Sequence, residues 1–423
     1  MKQYLQPSEI LLPHFPVSDC EAWKKWAVIA CDQFTSEPEY WKKAEELVGD
    51  APSALRTILP EVALSDRKLL TPKIHAEMER LLLSNTFDSK EGMIYLSRTQ
   101  SDGTVREGIV AMVDLEDYDY EKGASTLIRA TEGTVLERIP PRVEVRRRAP
   151  IELPHVMLLI DDPECTVIEP IGADSANYTP AYEFELMLGG GRVSGKWIPE
   201  LKYKKLNLAL SRLIEPSAMQ KRYGNGALSA LLFAVGDGNH SLATAKAHYE
   251  ELKTLLGSEK AEKHPARYAL CEIVNLHSPA LRFEPIYRVV FRADTADLLS
   301  AFRRYAEMQC GNNAAPQRFT YYKDGETGEI TVESPTFQLP VASLQTFLDA
   351  YLKTHPDVEI DYIHGEDSVK ALSVNGAIGF LFEGMEKGQL FRTVLYDGAL
   401  PRKTFSMGHA RDKRYYIEAR KIL

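Results

Sequence analysis

One segment in the middle of the chain constrains the fold more than any other. Residues 227–235 are largely apolar and short enough to be a buried strand, and residues 242–256 have apolar side chains at helical spacing before Gly257. The residues between them contain two glycines, Gly236 and Gly238. The order of strand, tight glycine turn and helix predicts an α/β chain.

The sequence on both sides of this segment mixes strand-like and helical patterns. Two alternating runs flank Ser101, Asp102 and Gly103, which predicts a β-hairpin. The last third contains a hairpin, a helix and a short strand in residues 319–384. A chain of 423 residues suits two or three domains. We therefore predict an α/β fold (α+β mixed) with three domains, at 1–120, 121–291 and 292–423.

Composition excludes several classes of function. The chain has 51 Lys and Arg against 60 Asp and Glu, a net charge of −9, without a long basic block. No nucleic-acid partner is therefore expected. No stretch reaches the apolar length of a membrane span and the start lacks a leader pattern, so we expect a cytoplasmic protein without a membrane partner. Five scattered cysteines favour reduced thiols over disulfides or a structural zinc.

Residues 190–196 match the phosphate-loop pattern G-x-x-x-x-G-K. A working loop of this kind requires Ser or Thr next and a helix that points its N-terminus at the phosphates. Trp197 and Pro199 follow instead. We therefore predict a glycine-rich hairpin turn that binds no nucleotide.

The turn at residues 235–241 is the stronger candidate for a phosphate site. Its glycines let a ligand approach the backbone, and the N-terminus of the following helix favours an anion. Asp237 offers carboxylate oxygens to Mg²⁺, and His240 offers a donor to a phosphate oxygen. The alternative is structural: Asp237 closes an Asx-turn, and Asn239 or His240 caps the helix.

Two further polar segments are undistinguished when each is taken alone. Residues 131–134 read Thr-Glu-Gly-Thr and follow Arg129, and residues 400–411 combine adjacent cations, hydroxyls and a histidine. By composition alone, a surface glutamate and a solvated basic loop are the better explanations of these two segments.

Taken together and in order, four segments resemble the domain-of-unknown-function 1015 family. Its members show His-Glu-x-Thr, Asp-Gly-His-His-Arg, Pro-x-His-Arg and Pro-Lys-Ser-Thr. The corresponding segments here are Thr131-Glu132-Gly133-Thr134, Asp237-Gly238-Asn239-His240-Ser241, Pro285-Ile286-Tyr287-Arg288 and Pro401-Arg402-Lys403-Thr404-Phe405. Their order and approximate spacing cover nearly the whole chain.

That family is in turn similar to free serine kinases of the ParB and sulfiredoxin-like superfamily. The resemblance implies a ParB-like central domain with flanking mixed α/β domains and a late loop that returns to the central cleft. It implies Glu132 as catalytic base and Asp237 as the metal ligand, with His240 and Lys403 also in the catalytic set. The residues implied to bind the nucleotide are Arg129, Thr134, Asp237, Gly238, Asn239, His240, Ser241, Arg288, Arg402 and Thr404.

Four positions depart from the family pattern. The motif histidines are replaced by Thr131, Asn239 and Tyr287, and the turn arginine is replaced by Ser241. Serine cannot supply the bidentate positive charge of arginine to a phosphate. The sequence therefore requires either another cation, for which Arg129, Arg288, Arg402 and Lys403 are the candidates, or a loss of the activity.

Three functions follow from the resemblance. The first is a kinase that uses ADP or ATP with Mg²⁺ to phosphorylate the hydroxyl of a small metabolite. The second is a non-catalytic nucleotide-binding switch. The third is a phosphatase or other hydrolase of phosphorylated metabolites, but the sequence offers no compact cluster of metal ligands to support it. For the first two we expect Glu132, Asp237, His240, Arg288 and Lys403 to converge on one cleft; the oligomeric state stays open.

Overall fold

The structure is a computed structural model that describes residues 2–31, 34, 37–133, 136–311 and 315–423. The chain forms two compact units. Unit 1 comprises residues 1–130, 134–281 and 409–423, and unit 2 comprises residues 131–133 and 282–408. The last residues of the chain therefore belong with its first half.

Unit 1 contains thirteen strands and nine helices within the described ranges. The strands are β1 (Ser8–Pro13), β2 (Phe87–Gly92), β3 (Ile94–Thr99), β4 (Val105–Asp114), β5 (Tyr118–Asp119), β6 (Ile128–Arg129), β7 (Ile151–Glu152), β8 (Met157–Ile160), β9 (Thr179–Glu185), β10 (Arg192–Trp197), β11 (Phe233–Asp237), β12 (Tyr268–Asn275) and β19 (Arg420–Lys421). The helices are α1 (Cys20–Trp26), α2 (Pro38–Val48), α3 (Arg67–Leu83), α4 (Ile139–Arg146), α5 (Glu169–Ala173), α6 (Tyr203–Leu213), α7 (Pro216–Tyr223), α8 (Asn239–Leu256) and α9 (Ser258–Ala261).

A nine-stranded mixed sheet organises unit 1. Its spatial order is β5-β6-β11-β8-β12-β4-β3-β10-β9, and β11 runs parallel to β6 but antiparallel to β8. Alternate residues of β4 face two different cores: Val110 packs with Trp23 and Trp26, whereas Ile109 packs with Tyr249 of α8. The sheet is therefore covered on both faces, which explains the continuous apolar sequence of its central strand β8.

Unit 2 is a six-stranded antiparallel sheet with its own helices. Its elements are β13 (Phe283–Phe291), β14 (Gln317–Lys323), β15 (Glu326–Val332), β16 (Glu359–His364), β17 (Ile378–Phe382), β18 (Phe405–Met407), α10 (Thr295–Met308), α11 (Pro340–Thr354), α12 (Glu366–Leu372) and α13 (Gln389–Asp397). Phe302 of α10 contacts Phe347 of α11 with ring centroids 4.7 Å apart, and it also contacts Phe319 and Phe380 of the sheet. These aromatic contacts give unit 2 a separate core.

The mixed α/β architecture predicted from the sequence is confirmed, and so are its hairpins. β3 and β4 pair around the predicted turn, where Gly103 has φ +85°. The G-x-x-x-x-G-K match is a hairpin: β9 and β10 pair antiparallel, and Lys196 lies within β10. No helix begins at Lys196 in this described stretch.

The bounds of the two compact units lie elsewhere than residues 120 and 291, and the division into three domains stays a prediction. Strand β4, from the predicted first domain, pairs along its length with β12 of the predicted second domain. β13 begins before residue 291 but pairs with β16, β17 and β18 of unit 2. Backbone pairing between segments that are distant in sequence therefore determines which residues belong to each unit.

The central strand and helix lie close to where the sequence placed them. β11 begins at Phe233, later than the apolar run from residue 227, and α8 begins at Asn239 and ends before Gly257. No helix among the described residues is long and apolar enough to cross a membrane.

Candidate functional site

The turn between β11 and α8 is shaped by Gly238. This residue has φ +86° and ψ 26°, a left-handed conformation that glycine adopts without steric cost. A Cβ at this position would lie 3.1 Å from the Cα of Val156. The turn therefore requires glycine for both its conformation and its close approach to the neighbouring chain.

The turn presents the N-terminus of an 18-residue helix. The first helical hydrogen bond runs from the Leu242 N–H to the Gly238 carbonyl, at 3.0 Å. Residues 236–241 are all partly exposed. Because peptide dipoles align along the helix, this end carries partial positive charge and suits an anion.

Asp237 places a carboxylate at the same turn. Its Oδ1 accepts a hydrogen bond from the Gly238 N–H at 2.9 Å, and its Oδ2 lies 3.6 Å from the Nζ of Lys413. The alternative that Asn239 or His240 caps the helix is not observed. The N-cap of α8 is Gly238, which has no side chain that could form a capping hydrogen bond. Lys413 brings a cation to the turn from near the end of the chain.

Ser241 belongs to a chain of three hydrogen-bonded side chains. Its Oγ lies 3.1 Å from Nε2 of His155, and Nδ1 of His155 lies 2.8 Å from the hydroxyl of Tyr416. Burial and the nearby cation Lys413 lower the pKa of His155 to about 4, although the Asp237 carboxylate acts in the opposite direction. His155 is therefore a neutral imidazole at neutral pH.

The guanidinium of Arg129 is engaged away from the turn. It donates to the carbonyl oxygens of Thr126, Ser229 and Ala230, at 2.8–3.1 Å. The Arg129 side chain is buried, and desolvation lowers its pKa. These bonds fix the segment before β11, and binding of a phosphate by Arg129 stays a prediction.

In unit 2, Glu132 lies beside the late polar loop. Glu132 and Leu400 form a parallel β-bridge, and the Leu400 N–H donates to the Thr131 carbonyl at 2.7 Å. Glu132 also acts electrostatically on Arg288, whose pKa it helps to raise against the dominant lowering by burial. Glu132, Arg288 and the 400–404 loop therefore come together within unit 2.

Arg288 is fully buried and holds this loop in place. It donates from Nη1 to the Lys403 carbonyl at 3.0 Å, from Nη2 to the Arg402 carbonyl at 3.1 Å, and from Nε to Gln345 at 2.8 Å. Desolvation lowers the pKa of Arg288 to about 10. These donors are directed to protein acceptors and hold the loop in place; binding of a phosphate by Arg288 stays a prediction.

The loop itself exposes two adjacent cations. Arg402 and Lys403 are exposed, and Arg402 donates to the Tyr362 hydroxyl at 3.0 Å. Lys403 has φ +56°, a conformation that costs free energy for a residue with a Cβ. Thr404 is buried and donates to the Pro401 carbonyl at 2.6 Å, so it closes the turn.

The predicted site residues thus form two groups. Asp237, Gly238, Asn239, His240 and Ser241 share the turn of unit 1. Glu132, Arg288, Arg402, Lys403 and Thr404 share the loop region of unit 2. Thr134 lies outside the described residues. Convergence of both groups on one cleft stays a prediction.

The carboxylate at the turn can be tested for its fit to Mg²⁺. No group of three or more His, Cys, Asp or Glu side chains forms a metal cluster in the described ranges. Mg²⁺ keeps several waters and is commonly bound by one or two carboxylates plus phosphate oxygens. Asp237 alone therefore fits a Mg²⁺ that arrives with a nucleotide, and no protein-only metal site is required.

Three residues at the turn were missed by the sequence analysis. Lys413, His155 and Tyr416 reach it from distant parts of the chain. Lys413 and Tyr416 follow the late motif within a run of charged and aromatic residues, and His155 sits in an apolar stretch. No local pattern connects such positions to the turn, because only the fold of unit 1 brings them there.

Comparison with known proteins identifies a family and distant structural likenesses. The family model described as "Protein of unknown function (DUF1015)" matches residues 15–351. No curated protein matches the chain.

Three solved structures show the extent of the structural likeness. A mutant free serine kinase in complex with ADP has TM-score 0.37 and 11% identity, covering 74% of this chain and 92% of that chain. A conserved hypothetical protein from Pyrococcus furiosus has TM-score 0.32 and 11% identity, covering 71% and 90%. SbnI from Staphylococcus aureus, truncated at its C-terminus, has TM-score 0.34 and 9% identity, covering 73% and 85%. Scores this low do not carry an activity over to this chain.

Proposed function

The chain belongs to the family described as protein of unknown function DUF1015, and from that membership together with the turn before α8 we propose that it is a nucleotide-dependent small-molecule kinase. ADP or ATP binds with its phosphates at the N-terminus of α8, and a metabolite hydroxyl accepts the phosphoryl group. The observation that carries the proposal is the pairing of Asp237 with Lys413 at this helix end. A carboxylate for the metal and an ammonium for phosphate thus occupy one turn.

Lys413 can supply the positive charge that Ser241 lacks at the phosphate turn. The family pattern has an arginine where this chain has serine, and the Lys413 ammonium supplies a positive charge 3.6 Å from Asp237. Arg129 and Arg288 are engaged with backbone carbonyls. Lys413 is therefore our candidate for the phosphate cation in unit 1, and Arg402 with Lys403 are candidates in unit 2.

The remaining roles follow the family resemblance. Mg²⁺, when bound at Asp237, neutralises phosphate charge and orients the nucleotide. The Lys413 ammonium lies 3.6 Å from the same carboxylate and is the proposed donor to a phosphate oxygen. Glu132 is the proposed base for the acceptor hydroxyl, and the fold of the nucleotide-binding part is proposed to be ParB-like. A cytoplasmic location is proposed as well, because nucleotide chemistry and cysteines that form no disulfide among the described residues suit that compartment.

Calorimetric titration of ADP and ATP, each with Mg²⁺, tests the binding step. We expect Asp237→Asn to abolish magnesium-dependent binding, because the amide keeps the shape but loses the anion. Asp174→Asn is the matched control, since Asp174 also pairs with a lysine in unit 1 but lies away from the turn. Wild-type protein that binds neither nucleotide contradicts the proposal.

A phosphoryl-transfer assay over a panel of hydroxyl metabolites, beginning with free serine, tests the reaction. Glu132→Gln should keep nucleotide affinity while turnover falls by about 10²–10⁴-fold, the usual contribution of a general base. A Glu132→Gln variant with unchanged turnover removes Glu132 from this role.

A nucleotide-binding switch is the second candidate function, and one observation favours it. Ser241 is hydrogen-bonded to His155 within unit 1, so this position serves the internal structure of the turn instead of adding charge. A switch binds nucleotide with the same dependence on Asp237 but shows no turnover with any acceptor. The two assays together therefore separate the candidates.

A further inference from the structure

Unit 1 contains a cavity that borders the turn before α8. Its volume is about 210 Å³, and its walls include residues of α3, α4, α8 and β12, the segment before β8 and the C-terminal segment. Most of the lining is apolar, with Met78, Val145, Leu242 and Leu270 among its side chains. A cavity of about 150 Å³ in another protein holds benzene, so this one has room for a ring with a small substituent.

The hydrogen-bond chain through His155 lies along the wall of this cavity. His155, Ser241 and Tyr416 all line it. A neutral imidazole carries one N–H and one acceptor nitrogen. If Nε2 carries the proton, it donates to Ser241 while Nδ1 accepts from Tyr416, and the Ser241 proton is left to donate elsewhere. If Nδ1 carries the proton, the Tyr416 proton is left instead. In both tautomers, one hydroxyl on the cavity wall has a proton for a further acceptor.

The charged side chains of the wall favour an anion. Arg142, Arg146 and Glu152 line the cavity, and Nη2 of Arg146 lies 2.5 Å from the Glu152 carboxylate. Arg420, behind the wall, also pairs with Glu152 at 2.8 Å. Two guanidinium groups thus share one carboxylate, and a third, Arg142, lies on the same wall and donates from Nη1 to the Arg138 carbonyl at 2.9 Å.

We propose that this cavity binds a small monocarboxylate with an apolar body, such as an aromatic or branched aliphatic acid. The apolar walls accommodate the body, and Arg142, Arg146 and the hydroxyl of Ser241 or Tyr416 donate to the carboxylate. Charge-assisted hydrogen bonds of this kind are about twice as strong as neutral ones. The cavity shares Ser241 with the nucleotide turn, but this proposal does not depend on the proposed function.

Benzoate and its neutral analogue benzamide are the probes. In calorimetric titrations of the full chain at neutral pH, we expect benzoate to bind and benzamide to bind at least about tenfold more weakly, because it lacks the charge. Arg142→Met should reduce the affinity for benzoate about tenfold and leave that for benzamide unchanged, and Arg142→Lys should restore part of the loss. Equal binding of both probes, or no binding up to about 10 mM, overturns the proposal.

A cavity-filling variant tests the location. Ala245 of α8 lines the cavity, so Ala245→Leu should abolish binding of both probes. Thr254→Leu adds an apolar side chain to the exposed surface of the same helix and serves as the control. Circular dichroism and thermal unfolding show whether each variant is folded. If Ala245→Leu does not fold, Ser241→Ala gives the same test, with an expected loss of benzoate affinity. Benzoate binding that survives in a folded Ala245→Leu variant contradicts the proposal.

Two further measurements keep this site distinct from the nucleotide site. Asp237→Asn should leave benzoate affinity unchanged, because Asp237 does not line the cavity. Competition between ADP and benzoate would instead assign the cavity to the nucleotide and overturn the proposal. Failure of nucleotide binding alone leaves the benzoate result intact, so the two proposals fail independently.

Discussion

The buried histidine His248 shows how single residues of α8 contribute to folding. Only 1% of its surface is exposed, and neither ring nitrogen has a hydrogen-bond partner within the described ranges. Burial, with a smaller contribution from the cations Arg146 and Arg147, lowers its pKa to about 4; Glu251 opposes this shift. A polar group buried without partners costs free energy that the rest of the core must offset.

We expect His248→Leu to raise the free energy of unfolding at neutral pH by about 1 kcal/mol, because an apolar side chain removes the unsatisfied nitrogens. The folded-state pKa lies below the ordinary value of about 6.5, so between pH 6.5 and 4 the unfolded chain binds a proton that the folded chain does not. Wild-type stability therefore falls as the pH falls through this window, and the fall should be shallower in the variant.

Urea unfolding at several pH values between about 7.5 and 4.5 measures both effects. His14→Gln is the control, because His14 is exposed and should change stability by less than about 0.5 kcal/mol. A His248→Leu variant with the wild-type dependence on pH would show that this histidine does not titrate as its burial indicates. His155, whose pKa is also near 4, contributes to the pH dependence of both proteins.

At the scale of elements, the glycine before α8 sets the geometry of the proposed phosphate turn. Gly238 and Gly224 are both left-handed, with φ +86° and +78°. Only Gly238 faces a neighbour: a Cβ there would lie 3.1 Å from Val156, whereas at Gly224 no atom lies within 4 Å among those described. Comparison of alanine substitutions at the two positions therefore separates the cost of backbone strain from the cost of steric contact.

We expect Gly224→Ala to cost about 1 kcal/mol of stability from backbone strain alone. Gly238→Ala should cost more, because the turn must also move away from Val156, and it should weaken nucleotide binding where Gly224→Ala does not. Chemical denaturation and calorimetric titration of the two variants measure these effects. Equal losses of stability in both variants would show that the contact with Val156 is unimportant.

Local patterns predicted most elements but not the composition of the site. Turn chemistry at Ser101-Asp102-Gly103 identified the β3–β4 hairpin, and the apolar spacing to Leu256 identified α8. The apolar run from residue 227 overstated β11, because apolar residues also pack in irregular segments. No local sequence pattern identified Lys413 as part of the site, because only tertiary folding brings it close to Asp237.

At the scale of the whole molecule, the chain leaves unit 1 after residue 281 and returns to it at residue 409. Sequence patterns report local periodicity, so they could not show that β4 pairs with β12 or that the last residues complete unit 1. The returning segment carries Arg414, whose Nη1 lies 2.8 Å from Glu272 and whose Nη2 lies 2.5 Å from Glu418. Arg106 pairs with the same Glu272 at 3.1 Å.

This buried network predicts that unit 1 cannot fold without residues 409–423. Their deletion removes the Arg414 partner of Glu272 and the buried side chains of Tyr415 and Ile417. Breaking one buried ion pair costs about 3–5 kcal/mol, and lost apolar burial adds to this. A typical domain is stable by only about 5–15 kcal/mol. The deletion should therefore unfold unit 1, whereas unit 2 keeps its own aromatic core.

Tryptophan fluorescence distinguishes the two units, because all four tryptophans of the chain lie in unit 1. Trp23 and Trp26 are buried, so unfolding of unit 1 should shift their emission to longer wavelength, while far-ultraviolet circular dichroism retains the signal of unit 2. Deletion of the exposed Leu423 alone is the control and should change neither signal. If the chain ending at residue 408 keeps wild-type emission and thermal stability, the buried network contributes little and the aromatic and aliphatic cores of the sheet suffice to hold unit 1 together.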